Sequence, residues 1–102
     1  MKRQVRKLKI MTRYVKIISV ICEYYGINQK DFIQILKNTE SRFLLILFLN
    51  NYKCMSREDI KESLNIKNTR SLTYSIKKAE EKFLINSEFR KKYFEIEQSL
   101  LK

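Results

Sequence analysis

Two pairs of acids, Glu80 with Glu81 and Glu95 with Glu97, are of the types that do chemistry, since paired carboxylates can share the work of general acid and general base. Their setting argues against that use. Both pairs lie in stretches of helical periodicity with lysines nearby, which is the pattern of a solvated helix face. The chain has no His, so an imidazole acid–base group, a Ser-His-Asp triad and a His-containing metal site are excluded. Cys22 and Cys54 are far apart, each within an apolar run, and a zinc site would need about four ligands. Two free, buried thiols in a reducing compartment are expected. One Gly and no Pro leave no Gly-rich phosphate loop and few turns for a β-sandwich or barrel. Neither an enzyme nor a bound cofactor, metal or small-molecule substrate is expected.

The charge points elsewhere. The 102 residues carry 22 Lys+Arg against 11 Asp+Glu, a formal net charge of +11. An AT-rich coding sequence inflates Lys, Ile and Asn, but it does not halve the acids relative to the bases. Such an excess on one small domain is the footprint of a polyanionic partner, nucleic acid ahead of a membrane surface or an acidic protein. Lys2, Arg3, Arg6, Lys7, Lys9, Arg13 and Lys16 precede the first acid and imitate the start of a secretory signal. The apolar stretch that follows, Ile17–Cys22, stops at Glu23 with no small-residue cleavage site. The longest apolar run, Phe43–Leu49, falls far short of the ~20 residues that span a bilayer. A cytoplasmic, soluble protein without a membrane partner is the expectation.

The elements that must position any binding residue read as helices throughout. The first is expected to begin between Gln4 and Thr12 and to end at Tyr25, with Met11, Tyr14, Ile18, Ile21, Cys22 and Tyr25 as its buried stripe. Gly26 suits the left-handed conformation that stops it. Asn28 reads as the cap of a short helix burying Phe32, Ile33 and Leu36. After a polar break at Lys37–Glu40, a helix from Glu40 to about Lys53 carries Phe43–Leu49 and should be the central post. Ser56-Arg57-Glu58-Asp59 has capping-box spacing and opens a short helix with Ile60 and Leu64 inward. A helix from about Thr69 to Leu84 follows (Leu72, Ile76, Ala79 and Phe83 inward), then one from Ser87 to about Leu101 (Phe89, Tyr93, Ile96 and Leu100 inward). The prediction is an all-α, compact six-helix single domain over residues 13–102, with residues 1–12 a basic arm, preferred as flexible, or the start of the first helix.

Ser56–Asn65 and Thr69–Leu84, joined by a few residues, make a helix-turn-helix candidate. Facing the apolar residues inward turns Arg70, Ser71, Thr73, Tyr74, Lys77 and Lys78 outward. Arg70 suits a bidentate pairing with guanine, and Ser71 and Thr73 suit donation to bases or phosphates. Lys67, Lys77 and Lys78 can neutralise backbone charge, and the N–H groups at the helix start add a phosphate-binding end. Most of the six Tyr and six Phe fall at core spacing, with Tyr74 the best exposed contact.

From about Tyr14 onward the chain resembles the C-terminal DNA-binding domain (domain IV) of DnaA, the bacterial chromosomal replication initiator, whose helix-turn-helix is related to that of the Trp repressor. Ile18–Phe32 is similar to the family's helix ending in an aromatic residue and Gly, followed by a short capped helix. Ser41–Leu49 parallels the family's Ala-Arg-Gln-Ile-Ala-Met-Tyr-Leu helix. Asn65–Leu72 stands at the signature Gly-Gly-Arg-Asp-His-Ser-Thr-Val. The resemblance implies a double-stranded DNA partner and adds Arg42, Lys37, Asn68 and Thr69 to the contact set. Asn65 and Ile66 replace both signature glycines; Lys67, Asn68, Thr69, Arg70 and Ser71 replace its Arg, Asp, His, Ser and Thr. The loop before the central helix keeps Lys37 as its only basic residue, without the family's arginine cluster. The implied function is a duplex-binding module with an altered sequence preference and no room for the family's ATPase. A protein–protein interaction module on the same scaffold, or RNA binding, is the alternative.

Overall fold

Five side-chain caps divide the chain into its elements: the oxygens of Asn28, Asn38, Ser56, Asn68 and Asn86 each accept from a backbone N–H at a helix start. The structure is a computed structural model describing the backbone of residues 2–52 and 55–101, and their side chains from Arg13 onward. Its helices are α1 (Lys2–Tyr25), α2 (Ile33–Lys37), α3 (Thr39–Asn51), α4 (Arg57–Ser63), α5 (Thr69–Ile85) and α6 (Ser87–Leu100), with a 3-10 turn at Gln29–Asp31. Among the described residues no strand occurs, and the chain is a compact all-helical assembly with a radius of gyration of 13.4 Å.

Two helices end in the same way. At the end of α1, Gly26 N–H donates to the Glu23 carbonyl at 3.1 Å and Ile27 N–H to the Cys22 carbonyl at 2.8 Å, with Gly26 at φ 67°. At the end of α4, Asn65 N–H donates to Glu62 at 3.2 Å and Ile66 N–H to Lys61 at 2.8 Å, with Asn65 at φ 56°. Both are Schellman closures, which need one left-handed residue. Asn is the side chain that tolerates that conformation best after Gly.

α3 is the post of the fold. Leu44, Leu45, Ile46, Leu47, Phe48 and Leu49 are all buried, because α1, α2, α4 and α5 pack around them. From α6, the Tyr93 ring stacks on Phe48 with centroids 4.3 Å apart, and its hydroxyl accepts from Asn51 Nδ2 at 3.0 Å. Ser41 is the one buried polar residue among those described, and its hydroxyl donates to the Ile35 carbonyl at 2.7 Å.

Several boundaries and burials differ from the sequence expectation. α1 is helical from Lys2, ahead of the Gln4–Thr12 window, and its inward stripe includes Ile17 beside Ile18, Ile21 and Cys22. Tyr14 and Tyr25 are only half-buried. In α2 the buried residue is Ile35, while Ile33 is 53% and Phe32 36% exposed. The 3-10 turn sets that register: it uses up residues 29–31, so α2 begins later and its inward face rotates onto Ile35 and the half-buried Leu36. The expectations for Met11, the basic side chains before Arg13, Lys53 and Cys54 lie outside the described residues; Cys22 is free and buried.

Candidate nucleic-acid interface

The candidate surface begins at the turn between α4 and α5. Asn65 closes α4, Ile66 is half-buried, and Lys67 and Asn68 are exposed. Asn68 is extended, and its Oδ1 accepts from Ser71 N–H at 2.8 Å, which starts α5. The cap commits the Asn68 oxygen and removes the Ser71 N–H from the donors expected to meet a phosphate. α5 then buries Leu72, Ile76 and Ala79 at less than 5% exposure. With that face inward, Thr69, Arg70, Ser71, Tyr74, Lys77 and Lys78 are all exposed. Tyr74 is 62% exposed, with Lys78 Nζ 5.6 Å from its ring centroid.

Thr73 differs from its neighbours: it is half-buried, and its hydroxyl accepts from Arg57 Nη1 at 3.1 Å. Arg57 was not among the residues singled out in the sequence. It lies 16 residues from Thr73 in a capping-box stretch, so no local periodicity could pair them.

The two remaining expected residues stand on other helices. Arg42, on α3, is half-buried, with its guanidinium 5.8 Å from the Phe43 centroid and its Nε buried with no hydrogen-bond partner among the described residues. The neighbouring Phe43 borders a shallow depression shared with Lys78 and Lys82 of α5. Lys37 is exposed at the end of α2, which packs on α3. Thus Lys67, Asn68, Thr69, Arg70, Ser71, Tyr74, Lys77 and Lys78 are exposed along one turn and helix, Arg42 is on the adjacent helix, and Lys37 belongs to the helix beyond it.

The surface is braced from behind. Tyr14 of α1 is half-buried against the core, and burial raises its pKa above the usual value. At the far end of α5, Asn86 N–H donates to Lys82 while its Oδ1 accepts from Phe89 N–H at 3.0 Å, so one residue ends α5 and starts α6. Arg90 Nη1 donates to the Phe83 and Leu84 carbonyls at 2.9 and 3.1 Å, serving two of the open acceptors in the last turn of α5. Among the described residues no group of three or more acids and cysteines could hold a metal, and no helix is long and apolar enough to cross a membrane. No protein-family model matches the chain, and no curated protein or solved structure matches it either.

Proposed function

We propose that the protein binds double-stranded DNA through a helix-turn-helix formed by α4 and α5, with a sequence preference different from that of the initiator domain it resembles. The observation that carries this reading is the outward row on α5, where Arg70, Tyr74, Lys77 and Lys78 are all exposed along one capped helix. A major groove admits one helix, and the first residues of that helix meet base edges. Arg70 suits guanine, Ser71 and Thr69 offer hydroxyls, and Lys67, Lys77 and Lys78 neutralise phosphates. The net charge of +11 supplies the long-range attraction.

The test is duplex binding across a salt series, joined to selection of bound sequences from a random duplex pool. Affinity should fall steeply with salt, and the pool should yield a motif. Arg70→Ala should flatten the motif, whereas Lys77→Ala should weaken all sequences alike and lower the salt slope by about one. Absence of duplex binding at low salt, or a shallow slope, overturns the reading.

A second reading, a protein-interaction module, is favoured by Leu84 and Ile85 at the end of α5, which are 74% and 77% exposed. Partner binding on that basis would survive Arg70→Ala and Lys77→Ala and would fail with Leu84→Ser. An RNA target would appear as preference for structured RNA over duplex DNA at equal salt.

A further inference from the structure

We infer that Arg57 reads a base and that Thr73 positions it, so that α4 contributes to sequence preference together with α5. The inference rests on the duplex-binding reading above. Arg57 is the first residue of α4, exposed, and its side chain crosses to α5 to donate from Nη1 to Thr73 Oγ1 at 3.1 Å. Thr73 lies one turn after Thr69 and Arg70 and one turn before Lys77, on a neighbouring part of the α5 surface. The guanidinium is therefore held beside the residues proposed to meet DNA. Its position is a poor one for stability alone, since a cation in the first turn faces the positive end of the helix dipole. It is a good one for a ligand rich in acceptors.

The chemistry follows from the fork. A guanidinium has five N–H donors in one plane, and the Thr73 contact engages one of them on Nη1. The edge formed by Nη2 and Nε has the spacing that pairs with O6 and N7 of guanine in the major groove. Because the Thr73 bond already restricts where the group can sit, less side-chain freedom is lost when the base arrives. A lysine at this position would place a charge there but would not supply two parallel donors.

Selection from the random duplex pool is run with the unaltered protein and with Arg57→Ala, Arg57→Lys, Thr73→Val and Thr73→Ser, each checked for unchanged helical circular dichroism. The unaltered protein should enrich a guanine whose preference drops about tenfold in Arg57→Ala and Arg57→Lys, the other positions being kept. Thr73→Val should relax that same position, and Thr73→Ser, which keeps the hydroxyl, should restore it. Were Arg57→Ala to misfold, the Thr73 pair would carry the test. An unchanged motif in Arg57→Ala overturns the inference, as does uniform weakening of every sequence, which would make Arg57 a phosphate contact. Both results leave the duplex-binding reading standing. Failure of the unaltered protein to bind duplex or to enrich a motif overturns the two together.

Discussion

Lys92 of α6 and Glu40 of α3, 52 residues apart, meet at 2.8 Å, and Tyr25 of α1 donates to the same carboxylate oxygen at 2.7 Å. One partly buried acid thus ties three helices together. Burial by itself would raise the Glu40 pKa; the hydrogen bonds from Lys92 and Tyr25 and the charge of Lys92 more than offset this, and the net shift is downward. A carboxyl lowered on folding stabilises the fold above its unfolded value, and that stability is lost as pH falls through the folded value. Glu40→Gln should cost about 1 kcal/mol near neutral pH, a melting-temperature drop of about 5 °C. The difference from the unaltered protein should close below about pH 4. Parallel melting curves for the two proteins throughout the acid range would contradict this.

Tyr52 makes the opposite prediction at alkaline pH. Burial first, and then its hydrogen bond to Glu97 at 3.0 Å, push its pKa from 10.0 up to about 12. Tyr25, half-buried and bonded to Glu40, is shifted in the same direction. A raised pKa contributes stability that is full below the unfolded value and lost as pH rises through the folded one. Stability should therefore decline from about pH 10 upward. Tyr52→Phe should shrink that decline, as read from denaturant melts at a series of alkaline pH values.

The two Schellman closures differ in a way that mutation can read. A Cβ at Gly26 would meet nothing within 4 Å, so Gly26→Ala costs only the left-handed backbone, about 1 kcal/mol. At Asn65 the side chain already bears part of that cost. Asn65→Gly should leave the melting temperature unchanged or slightly raised, and Asn65→Val should lower it by more than Gly26→Ala does.

Asn68 separates folding from binding. Asn68→Ala removes the cap on Ser71 and should cost about 1 kcal/mol in chemical denaturation. Asn68→Asp keeps an acceptor for the cap and should leave stability intact. Its added negative charge should nevertheless weaken duplex binding. Equal affinity of Asn68→Asp and the unaltered protein would remove Asn68 from the interface.

What was legible in the sequence is what depends on neighbours in the chain. Ser56 and Asn28 announce their caps by residue type, Gly26 its stop, and Leu72, Ile76 and Ala79 their inward face by spacing. The leucine-rich run Phe43–Leu49 was expected as a helix apolar on all sides, and in α3 Leu44 to Leu49 are all buried while Phe43 is half-buried. Register after an unrecognised 3-10 turn was not legible, which is why Phe32 and Ile33 were expected inward and Ile35 was not. Pairs such as Lys92 with Glu40, or Arg57 with Thr73, were not legible either. They depend on how helices distant in sequence come to lie side by side, and a pattern within one helix carries no record of that.

The central post has a consequence for the order of assembly. α3 is the middle of the chain as well as the middle of the core, with α2 and α4 immediately beside it in sequence and packed on it in space. Neither flank must wait for the other before finding its docking surface, and the loops closed by the neighbouring contacts are short. Their closure entropy is correspondingly small. Such a chain should refold on the fast side for its size, with Leu44–Leu49 as the template for α2, α4 and α5, and with α6 closing the core against α1 and α5.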